Sequence, residues 1–288
     1  MCWGAGPLAK GHRDHVVPFS FFRQTSSRRG KNLRLRIDLN ADLGEAATEA
    51  GLAVELGLLP FLTSVNVACG GHAGDRESMT RTIRAASARG VAVGAHPSYS
   101  DRPGFGRRAL SLPHDVVRTM VAEQISILMT IAAAHQVAVA HVKPHGALYN
   151  QAARDLDLAL AIAEAINENS PALCLVGLAG SALVEAGRRS GLRVAAEAFA
   201  DRAYEPDGSL VPRTERGAVL DRPEAAARQA VAIARDRHVV AVDGSRLSIE
   251  ADTLCLHGDT PGAAAIAEAV RRALDDAAIH VVPLTADR

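Results

Sequence analysis

His141-Val-Lys-Pro-His-Gly-Ala-Leu-Tyr-Asn150 is a polar stretch that directly follows a short apolar run, Gln136-Val-Ala-Val-Ala140. The apolar run is typical of a buried β-strand. Because alternate side chains of a strand share a face, His141, Lys143 and His145 are expected to point the same way. A proline and a glycine then turn the chain. Two imidazoles and an ammonium on one side of a strand end predict a functional site. The alternative is a polar strand exit with solvated side chains.

The same unit of apolar strand, polar loop and amphipathic helix recurs from residue 33 onwards. Strands are predicted at residues 33–39, 64–68, 91–95, 136–140, 173–177, 192–196 and 253–256. Helices are predicted at 47–62, 75–89, 113–135, 154–169, 181–190, 221–238 and 261–276, with a hairpin at 239–249. Residues 281–284 form either an eighth strand or an edge contact. Repeated β-α units without a composition break indicate one domain, residues 34–288, with a parallel sheet covered by helices.

Two architectures fit this pattern, a closed barrel and an open doubly wound sheet. Polar and ionisable side chains follow nearly every strand. Only a closed sheet brings all of those strand ends to one mouth. An open sheet would spread them along an edge, with one crevice at the switch point. We therefore predict a β/α barrel.

Composition argues against several classes of protein. Of 288 residues, 48% are apolar, and 32 Lys and Arg balance 32 Asp and Glu. This balance argues against a general surface for nucleic acid or for an anionic membrane. No apolar run approaches the roughly 18 residues of a membrane span. Cys69, Cys174 and Cys255 lack zinc-site spacing and indicate buried thiols in a reducing compartment, hence a cytoplasmic protein. Residues 1–33 show no helical or strand period and are predicted to be a disordered extension.

Histidines concentrate at the predicted strand ends. Five of the eleven lie there: His72, His96, His141, His145 and His257. Any one of them alone is more often a satisfied polar residue than a catalyst, but five at matching positions indicate a shared site.

Acidic and cationic residues accompany these histidines. Asp38, Asn40 and Asp42 share one face of the first strand. Arg107 and Arg108 are either binders of carboxylate or phosphate or a solvated pair. The Asp and His residues are suited to a divalent metal, whereas Lys143 in their midst would repel one. Metal-free acid/base chemistry is an equal alternative.

Longer motifs connect the chain to a known family. They are Asn40-Ala-Asp-Leu-Gly-Glu45, Asn66-Val-Ala-Cys-Gly-Gly-His-Ala-Gly-Asp75, Gly94-Ala-His-Pro97, Gly104-Phe-Gly-Arg-Arg108, His141 to Asn150, Glu197 to Tyr204, Asp207-Gly-Ser-Leu-Val-Pro-Arg213 and His257-Gly-Asp259. In these residues the chain resembles the LamB/YcsF family, the A subunit of bacterial 5-oxoprolinase. Two departures are Gly71, where the family usually has Phe, and residues 46–58, which are Ala- and Leu-rich in place of a Gly-Asp-Asp segment.

The resemblance implies an irregular seven-stranded parallel β/α barrel, similar to polysaccharide-deacetylase barrels. It implies ATP-dependent hydrolysis of 5-oxoproline to L-glutamate, with Mg accompanying the ATP and with ADP and phosphate as products. It also implies two partner subunits that resemble the halves of allophanate-hydrolase-type proteins. The alternatives are a metal-dependent amide hydrolase, with Asn40-Ala-Asp42 and two histidines as ligands, and a binding subunit without catalysis. Whether a structural metal is bound stays open.

Roles follow for individual residues as hypotheses. The predicted catalytic set comprises Asp42 with His72 as base, Lys143 for developing charge, His145 as acid, and His257 and Asp259 as positioning groups. The predicted set for substrate or nucleotide binding is Asn40, Glu45, His96, Arg107, Tyr149, Asn150 and Arg213.

Overall fold

The structure, a computed structural model, describes residues 35–258 and 262–284. The predicted extension at 1–33 and the predicted positioning residue Asp259 lie outside these ranges. The strands are β1 (Arg36–Leu43), β2 (Ser64–Ala68), β3 (Ala92–His96), β4 (Val139–Val142), β5 (Cys174–Leu178), β6 (Arg193–Phe199), β7 (His238–Val240), β8 (Arg246–Ser248), β9 (Thr253–Leu256) and β10 (His280–Val281). The helices are α1 (Glu49–Leu56), α2 (Arg76–Ser87), α3 (His114–Ala134), α4 (Gly146–Ala152), α5 (Leu156–Asn169), α6 (Ala182–Arg189), α7 (Pro223–Asp236) and α8 (Ala263–Asp276).

Seven parallel strands close into a barrel in the order β1-β2-β3-β4-β5-β6-β9. The ring closes where β9 pairs with β1, with Asp38 opposite Thr253. The predicted barrel is therefore confirmed. β10 adds to the start of β1 outside the ring, opposite Arg36 and Ile37, and β7 pairs with β8 in the predicted hairpin.

The two faces of the barrel strands have opposite character. The apolar residues of β1, such as Leu39, Ala41 and Leu43, belong to the main hydrophobic core. The alternate residues Asn40 and Asp42 form hydrogen bonds to side chains of other strands. Since side chains alternate along a strand, apolar groups face the helices and polar groups fill the barrel. The interior is thus a network of hydrogen bonds and ion pairs.

Several element boundaries differ from the predictions. β1 continues to Leu43 and β6 to Phe199, because their polar residues face the barrel interior and do not end the strand. Helix α1 stops at Leu56, before a 3-10 turn that contains Pro60. The short helix α4 was not predicted. The N-cap of α7 is Arg222 and not Asp221.

Helix α3 qualifies the expectation about membrane spans. By length and composition it is apolar enough to cross a membrane. Val117, Val121, Ile125 and Leu128 on it are fully buried, and it packs against α5 on the outside of the barrel. Its apolar face is therefore used in the core of this fold.

Asp38 gives a test of the polar interior. The hydroxyls of Thr63, Ser64 and Thr253 donate to its carboxylate. Burial, opposed by these hydrogen bonds, raises the pKa of Asp38 to about 6. Between pH 4 and 6 the folded state keeps a proton that the unfolded state releases, so the free energy of unfolding falls as pH rises. Across this window the wild type should lose roughly 3 kcal/mol more stability than Asp38→Asn, as measured by urea unfolding.

The matched control is Glu164→Gln, since Glu164 is an exposed carboxylate on α5. This variant should follow the wild-type curve. Parallel curves for the wild type and Asp38→Asn would show that Asp38 does not titrate in this range.

Candidate functional site

The predicted site residues gather at the carboxyl ends of the barrel strands, around a cavity of about 1350 Å³. Ten of them line it: Asp42, Glu45, His96, Arg107, Lys143, His145, Tyr149, Asn150, Arg213 and His257. Asn40 lies below the cavity, where Lys143 donates to it, and His72 lies behind Glu45. The structure thus brings every described member of the two predicted sets to one mouth.

Lys143 is the central cation of this mouth. It is 3% exposed, and its Nζ lies 2.8 Å from Glu197 Oε1 and 3.1 Å from Asp42 Oδ1. It also contacts Asn40 Oδ1 and Cys255 Sγ. Burial disfavours its charge, but the Asp42, Cys255 and Glu197 groups raise the pKa of Lys143 well above its ordinary value. The side chain therefore remains an ammonium.

Glu197 at the end of β6 holds several groups together. Tyr149 donates its hydroxyl to Oε2 at 2.7 Å, and the Asn40 amide donates to Oε1 at 3.1 Å. Glu197 is fully buried. With Lys143, these contacts join β1, α4 and β6 through one carboxylate.

His96 is the partner of Asp42, in place of the predicted partner His72. Its Nδ1 donates to the Lys143 carbonyl at 2.7 Å, and its Nε2 lies 3.2 Å from Asp42 Oδ2. Burial lowers the pKa of His96, but Asp42 and Glu45 raise it to a net increase. Burial raises the pKa of Asp42, yet His96 and Lys143 hold it well below the usual range.

His145 has both ring nitrogens engaged. Its Nε2 donates to the Phe105 carbonyl at 3.0 Å, which leaves Nδ1 as the acceptor, 2.9 Å from His96 Nε2. Burial and the neighbouring His96 and His72 rings hold the pKa of His145 well below its ordinary value. The geometry does not favour the predicted role as acid, because no ring nitrogen is left to reach a substrate.

His72 stacks on His145, with ring centroids 3.7 Å apart. Its Nε2 lies 2.8 Å from Glu45 Oε1. Burial and the His96 charge lower the pKa of His72 to about 3, so the ring is neutral. Glu45, His72, His96 and His145 offer ligand atoms that all lie within 4.8 Å of one another, and this group could hold a metal ion.

The altered first loop has its own anchor, Glu55 on α1. Its Oε2 accepts the backbone N–H groups of Gly44 at 2.7 Å and Glu45 at 3.2 Å. Burial, opposed by the Gly44 N–H, raises the pKa of Glu55 to about 7. The Ala- and Leu-rich segment therefore positions Glu45 through one buried carboxyl group.

Gly71 makes room for a buried glutamine. Gln124 of α3 accepts from the Ser98 N–H at 3.0 Å and donates to the Ser98 carbonyl at 2.7 Å. A Cβ at position 71 would lie 2.5 Å from Ser98 Oγ and 2.6 Å from Gln124 Oε1. Glycine at this position thus allows Gln124 to fix the loop after β3.

His257 and Asp201 form a second pair on the cavity wall. Asp201 accepts from His257 Nδ1 at 2.9 Å and also from the His257 backbone N–H. Phe199 stacks on the imidazole, with centroids 5.6 Å apart. Burial raises the pKa of Asp201, but His257 brings it below the ordinary value. The carboxylate fixes Nδ1–H and leaves Nε2 as the nitrogen that can exchange a proton.

The two arginines after β3 have different surroundings. Arg108 donates Nε to Asp101 Oδ2 at 2.9 Å, and a second N–H to Oδ1, so it holds its own loop. Arg107 lines the cavity, with its guanidinium 4.8 Å from the centre of the Phe105 ring. Arg107 is therefore the member of the pair placed to meet an anion.

Sequence reasoning assigned no role to Glu197, Asp201 or Glu55. Glu197 and Asp201 follow β6, the same position that singled out the histidines, so the strand-end rule applied to carboxylates would have found both. Glu55 carries no such signal, because its function depends on the packing of α1 against the first loop.

The LamB/YcsF family model matches residues 37–288. The chain belongs to the LamB/YcsF family. A relative from Chloroflexus aggregans, named as the A subunit of 5-oxoprolinase, is 52% identical over 247 residues, which is 86% of this chain and 98% of that protein. A relative of the same name from Pyrococcus furiosus is 43% identical over 250 residues, 87% of this chain and 98% of that protein. The crystal structure of a lactam utilization protein from Thermus thermophilus matches with a TM-score of 0.80 and 42% identity, covering 86% of this chain and 100% of that chain. The expected family is confirmed.

The Lys143–Glu197 pair of this LamB/YcsF barrel can be tested by a double-mutant cycle. Lys143→Met alone should cost roughly 3–5 kcal/mol, because it leaves buried carboxylates unpaired. The double variant with Glu197→Gln should cost less than the sum of the two single variants. The measurement is urea unfolding of all four proteins.

The control cycle uses Arg237 and Glu250, an exposed pair 3.0 Å apart. It should show almost no coupling, since exposed pairs contribute little. Additive losses for Lys143 and Glu197 would mean that the two charges do not stabilise each other.

Proposed function

We propose that this chain is the A subunit of a 5-oxoprolinase that hydrolyses 5-oxoproline to L-glutamate at the expense of ATP. Relatives matched along nearly their whole length are named as the A subunit of that enzyme. The observation that carries the proposal is the buried ammonium of Lys143 on the wall of a large polar cavity. ATP is the reason for placing the reaction in the cytoplasm.

The chemistry requires activation of a stable lactam. The lactam oxygen attacks the γ-phosphorus of ATP and ADP leaves. Water attacks the ring carbon, the C–N bond breaks, and the nitrogen takes a proton. The acyl phosphate formed is hydrolysed by a second water to glutamate and phosphate. Negative charge develops on oxygen in each step, and Lys143 lies on the cavity wall as a fixed cation that can stabilise it.

Proton transfer in this scheme is assigned to His257. Asp201 fixes the imidazole through Nδ1, so Nε2 can take a proton from water and return it to the departing nitrogen. This assignment replaces the predicted acid His145 and gives His257 more than a positioning role. Asp42 stays ionised beside Lys143 and orients that ammonium.

The size and charge of the cavity support a nucleotide beside the lactam. Pockets for drug-sized ligands have volumes of about 300–1,000 Å³, and this cavity measures about 1350 Å³. Arg107, Arg154 and Arg213 line it, and guanidinium groups suit phosphate oxygens. Mg accompanying the ATP would share the phosphate charge.

Partner subunits are part of the proposal. The relatives carry a letter designation as one subunit of an enzyme, which implies a complex, and we assign the partners to two allophanate-hydrolase-like subunits. Such partners would complete the nucleotide site, because the chain carries no P-loop sequence.

Glutamate release from 5-oxoproline tests the proposal directly. It should be measured with and without ATP, for this chain alone and mixed with candidate partner subunits. We expect release only with ATP and partners, with one ADP formed per glutamate. Release by the chain alone, independent of ATP and abolished by a chelator, would instead establish a metal-dependent amide hydrolase.

The role of His257 predicts a large effect on turnover. His257→Gln should lower kcat by roughly 10²–10⁴-fold, the usual contribution of a general acid or base, with little change in KM. His135→Gln is the control, since His135 is exposed at the end of α3. A loss in kcat below about twofold for His257→Gln would remove His257 from the proton path.

A further inference from the structure

Four side chains at consecutive strand ends converge on one point, and we call them the imidazole cluster: Glu45, His72, His96 and His145. Glu45 follows β1, His72 follows β2, His96 ends β3 and His145 follows β4. Each directs one ligand atom inwards, and these atoms all lie within 4.8 Å of one another. The three histidines are buried, and Glu45 is half-buried beside them.

Backbone carbonyls orient two of the rings as ligands. The Lys143 carbonyl accepts from His96 Nδ1, and the Phe105 carbonyl accepts from His145 Nε2. Each bond fixes the tautomer whose other nitrogen lone pair faces the cluster. This outer contact to a carbonyl is the usual companion of a metal-binding histidine.

The two inward lone pairs cannot face each other without a cation. His96 Nε2 and His145 Nδ1 are 2.9 Å apart, so either a shared proton or a metal ion must lie beside them. A proton needs two donors, whereas this cluster assembles four. The extra groups, Glu45 and His72, therefore favour a metal ion.

The spacing of the donors matches tetrahedral coordination. Zinc–ligand bonds of 2.0–2.1 Å place neighbouring donors about 3.3 Å apart. Glu45 Oε1 lies 2.8 Å from His72, 3.4 Å from His145 and 3.8 Å from His96. These distances fall on both sides of the required value, so small side-chain shifts would equalise them.

Charge does not oppose a dication at this point. Lys143 was expected to repel a metal, but its ammonium is held between Asp42 and Glu197. Glu45 adds a third carboxylate to this part of the mouth. A divalent ion bound by neutral imidazoles would balance these charges.

We propose that the imidazole cluster binds one divalent transition-metal ion of the zinc class, which joins the ends of β1, β2, β3 and β4. A set of three imidazoles and one carboxylate selects such an ion over Mg²⁺, which prefers oxygen ligands. This site is separate from the Mg that accompanies ATP in the proposed function. The proposal concerns binding alone and does not depend on ATP or partners.

Cobalt(II) provides the probe, because its visible absorption reports tetrahedral coordination. The full chain alone is stripped with a chelator and titrated with Co²⁺, and its thermal unfolding is measured with and without Zn²⁺. We expect one equivalent of Co²⁺ to bind with tetrahedral absorption, and Zn²⁺ to displace it and raise Tm.

Two variants locate the ion. Glu45→Gln and His145→Asn should each weaken Co²⁺ binding by more than the roughly 10- to 100-fold that loss of an outer partner costs. Both should keep the wild-type circular dichroism. His135→Gln, at the opposite end of α3 from the mouth, should bind Co²⁺ as the wild type does.

Two results would overturn the proposal: no saturable Co²⁺ binding by the folded wild type, or binding that both cluster variants leave unchanged. Either result would leave glutamate release with ATP and partners untouched, and loss of that release would leave the Co²⁺ spectrum untouched. The two proposals therefore fail separately.

Discussion

The buried ammonium of Lys143 is the constraint on which the mouth of this barrel depends. A charge removed from water must be compensated by close partners, and here β1 and β6 supply Asp42 and Glu197. Their carboxylates in turn require donors, which explains Asn40 and the Tyr149 hydroxyl beside Glu197. One cation thereby determines which residue types the surrounding strand ends can carry.

Most of the barrel follows from patterns visible in the sequence. β2 and β9 have the predicted bounds, because their residues are short apolar runs bordered by turns. β1 was predicted too short, since Asn40 and Asp42 look like a loop until a polar barrel interior is allowed for. α4 escaped prediction because a seven-residue helix after a proline and a glycine has too short a period to detect.

The site could be located from the sequence, but its pairings could not. A strand end fixes where His72, His96 and His145 lie to within a few ångströms. Whether Asp42 meets His72 or His96 depends on ring orientation, which backbone carbonyls across the barrel determine. Glu55 shows the same limit, since its effect on Glu45 requires knowing how α1 packs.

The seam of the barrel has a consequence for synthesis. β1 emerges early from the ribosome, yet β9, which pairs with it from Asp38 onwards, comes more than two hundred residues later. Until then β1 and β6 present open edges, with unpaired N–H and C=O groups that invite association with other chains. Ring closure is therefore a late, long-range step. The nascent chain must be protected from edge-to-edge aggregation until Thr253 to Leu256 are available.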